Sequence, residues 1–147
     1  MKKINFPILV SLIAIISLFI LTQKEQKTKV SVDNASFYLS VADTDSKRQR
    51  GLSDVASMLL NNGMLFVFDD KVIREFWMKD TLIPLQILFI EECTIVDIQE
   101  MIVEKDPTKP KKTYRSSVPV DKAIELNAGT IKEDLIGASI NELCENP

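Results

Sequence analysis

The sequence predicts a mainly β domain of the α+β type: a small, strongly curved sheet or open barrel with two short helices, preceded by an N-terminal transmembrane helix. Three observations predict it. An uncharged apolar run opens the chain. Short strand-like segments then follow at close spacing, and only two later segments carry helix-start chemistry. The 147 residues suit one domain plus an appendage. A hydrophobic fraction of 46% against 27% charged argues for a packed core.

Ile4 to Thr22 contains no charged side chain. As a helix it would span ~28 Å, close to the ~30 Å hydrocarbon core of a bilayer. No small-x-small cleavage site follows it, so residues 1–22 are expected to be an uncleaved anchor, with the membrane engaged through residues 4–22. Secretion after signal cleavage is the alternative. Both place the following domain outside the cytoplasm, in the periplasm or at the cell surface. Residues 23–29 are polar and read as a tether, and residues 30–147 as a single β-rich domain.

Within the domain, Ser36 to Ala42 alternates and predicts a half-buried strand, preceded by a shorter one at Val30 to Val32. Thr44 or Asp45 can cap a helix that Gly51 closes, and a second helical stretch is expected over Ser53 to Leu60. Strand signals follow at Met64 to Phe68, Arg74 to Met78, Leu85 to Ile90 and Cys93 to Gln99, with Glu91-Glu92 as a turn. Lys105 to Ser117 reads as an exposed loop. Lys122 to Leu126 is a strand, Thr130 to Leu135 a short helix, and Ile136 to Leu143 a last strand.

Charge and composition exclude several functions. Residues 1–29 carry a net +4, and the remainder 13 basic against 20 acidic side chains. A domain that acidic repels phosphates, so nucleic acid is not an expected partner. The chain has no His, which excludes a Ser-His-Asp triad, a Cys-His pair and His-ligated metal. No cofactor or metal motif is present. Asp69-Asp70 and Glu91-Glu92 read as solvated turns.

Gly63-Met64-Leu65-Phe66-Val67-Phe68, Phe76 to Leu85, Leu88-Phe89-Ile90 and Ile124 to Gly129 occur in an order and spacing that resembles the prokaryotic family called domain of unknown function 192. Arg50-Gly51-Leu52 and Tyr114 to Pro119 belong to the same pattern, which spans roughly residues 30 to 143. The resemblance implies a compact β-rich domain, often behind a signal peptide or anchor, with no established activity. Three positions depart from it: Ser53 stands in place of Met, Asp80 in place of Asn, and Gln86 in place of Asp.

The candidate ligand site is Arg50, Trp77, Lys79, Asp80, Glu125 and Asn127. Trp77 offers an aromatic floor, Lys79 and Arg50 a charge for an anion, and Asp80, Glu125 and Asn127 hydrogen-bonding groups. Each also has a structural reading: a core Trp, a charged turn, an Arg50 bridge to Glu125 or Asp80, an Asn127 holding backbone. Cys93 and Cys144 either pair as a disulfide or remain inert thiols. The favoured function is a membrane-tethered extracytoplasmic binding module for an envelope ligand or protein. An envelope hydrolase using Asp80 and Glu125, and a structural or assembly factor, are the alternatives.

Overall fold

The computed structural model describes residues 27–144. The expected membrane segment over residues 4–22 lies outside them, as do residues 23–26 of the tether. No helix among the described residues is long and apolar enough to cross a membrane. The end of the tether is corrected: Lys27, Thr28 and Lys29 already belong to the first strand, opposite Ser40, Leu39 and Tyr38.

Eight strands form: β1 (Lys27–Val32), β2 (Ala35–Ala42), β3 (Asn62–Val72), β4 (Glu75–Trp77), β5 (Leu85–Glu91), β6 (Thr94–Met101), β7 (Thr113–Arg115) and β8 (Val120–Asn127). Six make one mixed sheet in the order β1-β2-β3-β8-β5-β6, in which only β2 and β3 run parallel. The crossover between those two carries α1 (Asp45–Arg50). Thr44 caps α1 by accepting from the Lys47 N–H, and Gly51 closes it at φ 49°. Asp33 turns β1 into β2 at φ 53°, a left-handed conformation that Asp tolerates.

The sheet stays open, with β1 and β6 as its edges, and does not close into a barrel. The reason lies in the central strands, which are apolar on both faces. A barrel turns one face outward; here each face has its own cover. On one side Leu39, Leu65, Leu88, Ile124 and Leu126 pack under Ile131, Ile140 and Leu143 of the C-terminal segment. On the other, Phe66, Ile87, Phe89 and Ala123 pack under Met78 and Tyr114, carried by a small ribbon of β4 paired with β7. Each fully buried Leu, Ile or Phe contributes about 1.5–3 kcal/mol.

Four further expectations are corrected. Ser53 to Leu60 is not helical, because other segments engage its backbone: the Asp54 N–H donates to the Asp80 carbonyl, and the Met58 and Leu59 carbonyls accept from the Asn127 amide. The loop Lys105 to Ser117 contains β7, whose Tyr114 is buried and accepts from the Ile102 N–H. The C-terminal helix is only a 3-10 turn at Glu133–Leu135, since Thr130 donates to the Asn127 carbonyl instead of capping. The last strand reduces to a single bridge between Ser139 and Thr94, followed by a 3-10 turn at Asn141–Leu143. Cys93 and Cys144 are joined, with Cα atoms 5.0 Å apart.

Candidate functional site

On the ribbon-covered face of the sheet, the register lines up Ser40, Met64, Glu125 and Ile87 across β2, β3, β8 and β5. Glu125 is therefore a carboxyl flanked by the apolar side chains of Met64 and Ile87. It is 5% exposed. It makes no hydrogen bond or ion pair with any described residue, and burial alone pushes its pKa up to about 8. Near neutral pH it is mostly a neutral acid.

A cavity of about 580 Å3 opens above it. One wall is the C-terminal end of α1 with Gly51, Leu52 and Ser53. The other is β4 with Lys79 and Thr81. Phe66, Phe68 and Phe76 line it, with Phe76 edge-on to Phe66 at 5.1 Å and to Phe68 at 6.4 Å between ring centres. Arg74 lies 3.8 Å above the Phe68 ring and Arg48 5.4 Å from it. Both guanidinium groups are engaged: Arg74 with Asp70, Arg48 with Asp45 and the Val67 carbonyl. The wall opposite α1 is pinned at the Lys79 carbonyl, which accepts from Ser53 and Thr81 hydroxyls at 3.1 and 3.2 Å.

Four of the six expected residues, Arg50, Trp77, Lys79 and Glu125, line this cavity. Trp77 is at the rim and 57% exposed, neither a floor nor a core residue. Arg50 pairs with neither Glu125 nor Asp80 and makes no ion pair among the described residues; Asp80 instead meets Lys79 at 3.4 Å. Asp80 and Asn127 stand outside the lining. Asp80 is a backbone staple at φ 53°, its N–H donating to Pro107 and its carbonyl accepting from Asp54, each at 2.8 Å. Asn127 ties the Met58–Leu59 backbone to β8. The hydrolase reading needs Asp80 and Glu125 in one cleft; Glu125 lines this cavity and Asp80 is not among its lining residues.

Arg48, Arg74 and the Phe66–Phe68–Phe76 cluster were not singled out from sequence. The available signal was the alternation of Phe66 and Phe68, which puts both rings on one face of β3. Among the described residues no three Asp, Glu or Cys side chains converge as a metal-ligand set. A second concavity of about 1040 Å3 lies over Ser40 and Met64, and none of its charged side chains is buried.

The fold has solved counterparts. One is a Sinorhizobium meliloti 1021 protein described as a candidate transcription regulator, 28% identical, with a TM-score of 0.65 over 78% of this chain and 88% of that one. Another, a protein of unknown function from Novosphingobium aromaticivorans DSM 12444, is 23% identical, with a TM-score of 0.59 over 70% of this chain and 73% of that one. No curated protein matches the chain. The family model of DUF192, described as Uncharacterized ACR, matches residues 27–140, and the chain belongs to that family.

Proposed function

We propose that this chain is a membrane-tethered, extracytoplasmic binding domain whose cavity beside Trp77 receives a small organic ligand. One observation carries the reading: an unpartnered, buried carboxyl on an apolar sheet face, at the bottom of an open cavity with aromatic walls and a charged rim. A buried acid with no protein partner lowers stability unless something else uses it. The volume falls within the roughly 300–1,000 Å3 typical of small-molecule sites. The tether rests on the uncharged run Ile4 to Thr22, and the Cys93–Cys144 bond suits an oxidising compartment. The regulator description of the Sinorhizobium meliloti protein is not carried over, because the domain's acidity disfavours nucleic acid.

The test is a thermal-shift screen of small metabolites against the detergent-solubilised full chain. A genuine ligand raises Tm, and Trp77→Ala and Lys79→Ala weaken that rise while keeping the fold. Equal stabilisation of both variants by the same ligand would place the site elsewhere. For the tether, protease added to intact spheroplasts should digest the domain, and alkaline carbonate should leave the chain in the membrane pellet. A chain recovered in the soluble cytoplasmic fraction would remove that part of the proposal.

A further inference from the structure

Glu125 is the one buried acid among the described residues, and its carboxyl has no hydrogen-bond or ion-pair partner among them. The strands on either side set Met64 and Ile87 against it. Phe66 and Phe89 follow one step along, opposite Ala123. Besides Glu125, charged side chains line the cavity from three segments, and Arg74 is partly buried on the Phe68 ring. Asp45, Arg48 and Arg50 come from α1, Asp69 and Asp70 from β3, Arg74 from the link before β4, Glu75 from β4 and Lys79 from the turn after it.

We propose that the cavity takes a small organic monoanion end-on: an acceptor oxygen is hydrogen-bonded by the Glu125 carboxylic acid at the floor, and the anionic group lies at the mouth beside Arg50 and Lys79. This rests on the reading of the cavity as a ligand site and names the ligand's chemistry.

The floor offers a donor. Burial holds Glu125 protonated near neutral pH, so it presents an O–H to an incoming oxygen without a charge having to be desolvated. The walls offer ring surface for an apolar body. The mouth offers the positive charges of Arg50 and Lys79. Arg48 and Arg74 are held by Asp45 and Asp70, whereas Arg50 has no ion pair among the described residues and Lys79 meets only the adjacent Asp80. Asp69 and Glu75 also lack an ion pair among them, which makes an organic cation the competing occupant. A cation at the floor would require Glu125 to ionise, a penalty of about tenfold in affinity at pH 7.

Trp77 is the chain's only tryptophan and stands on the rim, so its emission reports occupancy. The probes are 4-acetylbenzoate, 4-isopropylbenzoate, which lacks the inner acceptor, and 4-isopropylbenzylamine, which reverses the charge. Each is titrated into the detergent-solubilised full chain, with Tm read alongside. The expected result is that 4-acetylbenzoate binds at least about tenfold more tightly than either other probe. Its affinity should fall about tenfold between pH 7 and pH 9 as Glu125 loses its proton. Glu125→Gln keeps an N–H donor, so it should retain binding with a flat pH profile. The inference is overturned by tighter binding of the amine, by equal affinity for the two benzoates, or by a pH profile that persists in Glu125→Gln. Those outcomes leave the cavity a ligand site of another chemistry. If no probe at millimolar concentration moves either the Trp77 emission or Tm, the ligand class and the site reading fall together.

Discussion

Met64 of β3 and Glu125 of β8 are direct partners across the antiparallel ladder, so a thioether lies where an ion pair would ordinarily supply a base. The consequence is a carboxyl whose protonation is governed by burial alone.

That carboxyl makes stability depend on pH in a direction opposite to the usual acid. Between the ordinary Glu value of 4.5 and about 8, the folded chain keeps a proton on Glu125 that the unfolded chain has released. Unfolding therefore releases a proton, and stability falls as pH rises through that window, levelling off above it. The slope contributed is up to about 1.4 kcal/mol per pH unit. Thermal melts from pH 5 to 9 should show the unmodified protein losing Tm faster than Glu125→Gln, with the gap closing in acid. Parallel curves would show that the folded chain does not hold the carboxyl neutral.

Gln86 is a structural residue, and its removal should leave the cavity intact. It is 2% exposed and lies on the sheet face opposite Glu125, where its amide donates to the Ile131 carbonyl and accepts from the Ile131 N–H, both at 2.8 Å. It also donates to Glu100. Gln86→Leu leaves both Ile131 backbone groups unpaired beside a buried side chain, a loss of about 2–4 kcal/mol. Urea unfolding should register that loss, while probe binding at Trp77 stays unchanged. Lost binding in a folded Gln86→Leu protein would tie the two faces together.

Strand positions were legible because period-two alternation and turn residues are local signals: Phe37, Leu39 and Val41 announce β2, and the continuous run Leu85 to Ile90 announces a strand buried on both faces. What lay beyond reach depends on partners distant in sequence. The segment Ser53 to Leu60 has helix-compatible residues, but Asp80 and Asn127 claim its backbone from 26 and more residues away. Tyr114 forms a strand only because Phe76 lies opposite it. In the site, Trp77, Lys79 and Glu125 stood out as polar or aromatic groups among apolar neighbours. Arg48 and Arg74 did not, since their placement over Phe68 requires α1 and the link between β3 and β4 to meet the same ring.

Gly63 is required by proximity rather than by backbone angle. A Cβ there would overlap the Glu125 carbonyl oxygen and the Leu126 side chain, so β3 and β8 could not keep their register. Gly63→Ala should cost about 3 kcal/mol or more, and should disturb Glu125 as well, since the clash falls on its own carbonyl. The measurement is paired: chemical denaturation for stability, and the pH dependence of Tm for Glu125. A soluble Gly63→Ala protein with unaltered stability would contradict the observed strand pairing.

The bond between Cys93 and Cys144 fastens the C-terminal cover to the sheet. It closes a loop of 51 residues in separation, worth about 4 kcal/mol by the chain-entropy argument. It also holds Ile140 and Leu143 against the core, next to the hydrogen bond from the Ile140 N–H to the Cys93 carbonyl. Reduction should therefore loosen that cover before the face that bears Glu125, which lies on the other side of the sheet. Hydrogen exchange under reducing conditions should show residues 136–144 losing protection first, with a fall in overall stability of about 2–4 kcal/mol, and the double Cys93→Ser, Cys144→Ser variant should match the reduced protein. Uniform loss of protection across both faces would mean the sheet cannot stand without its clasp.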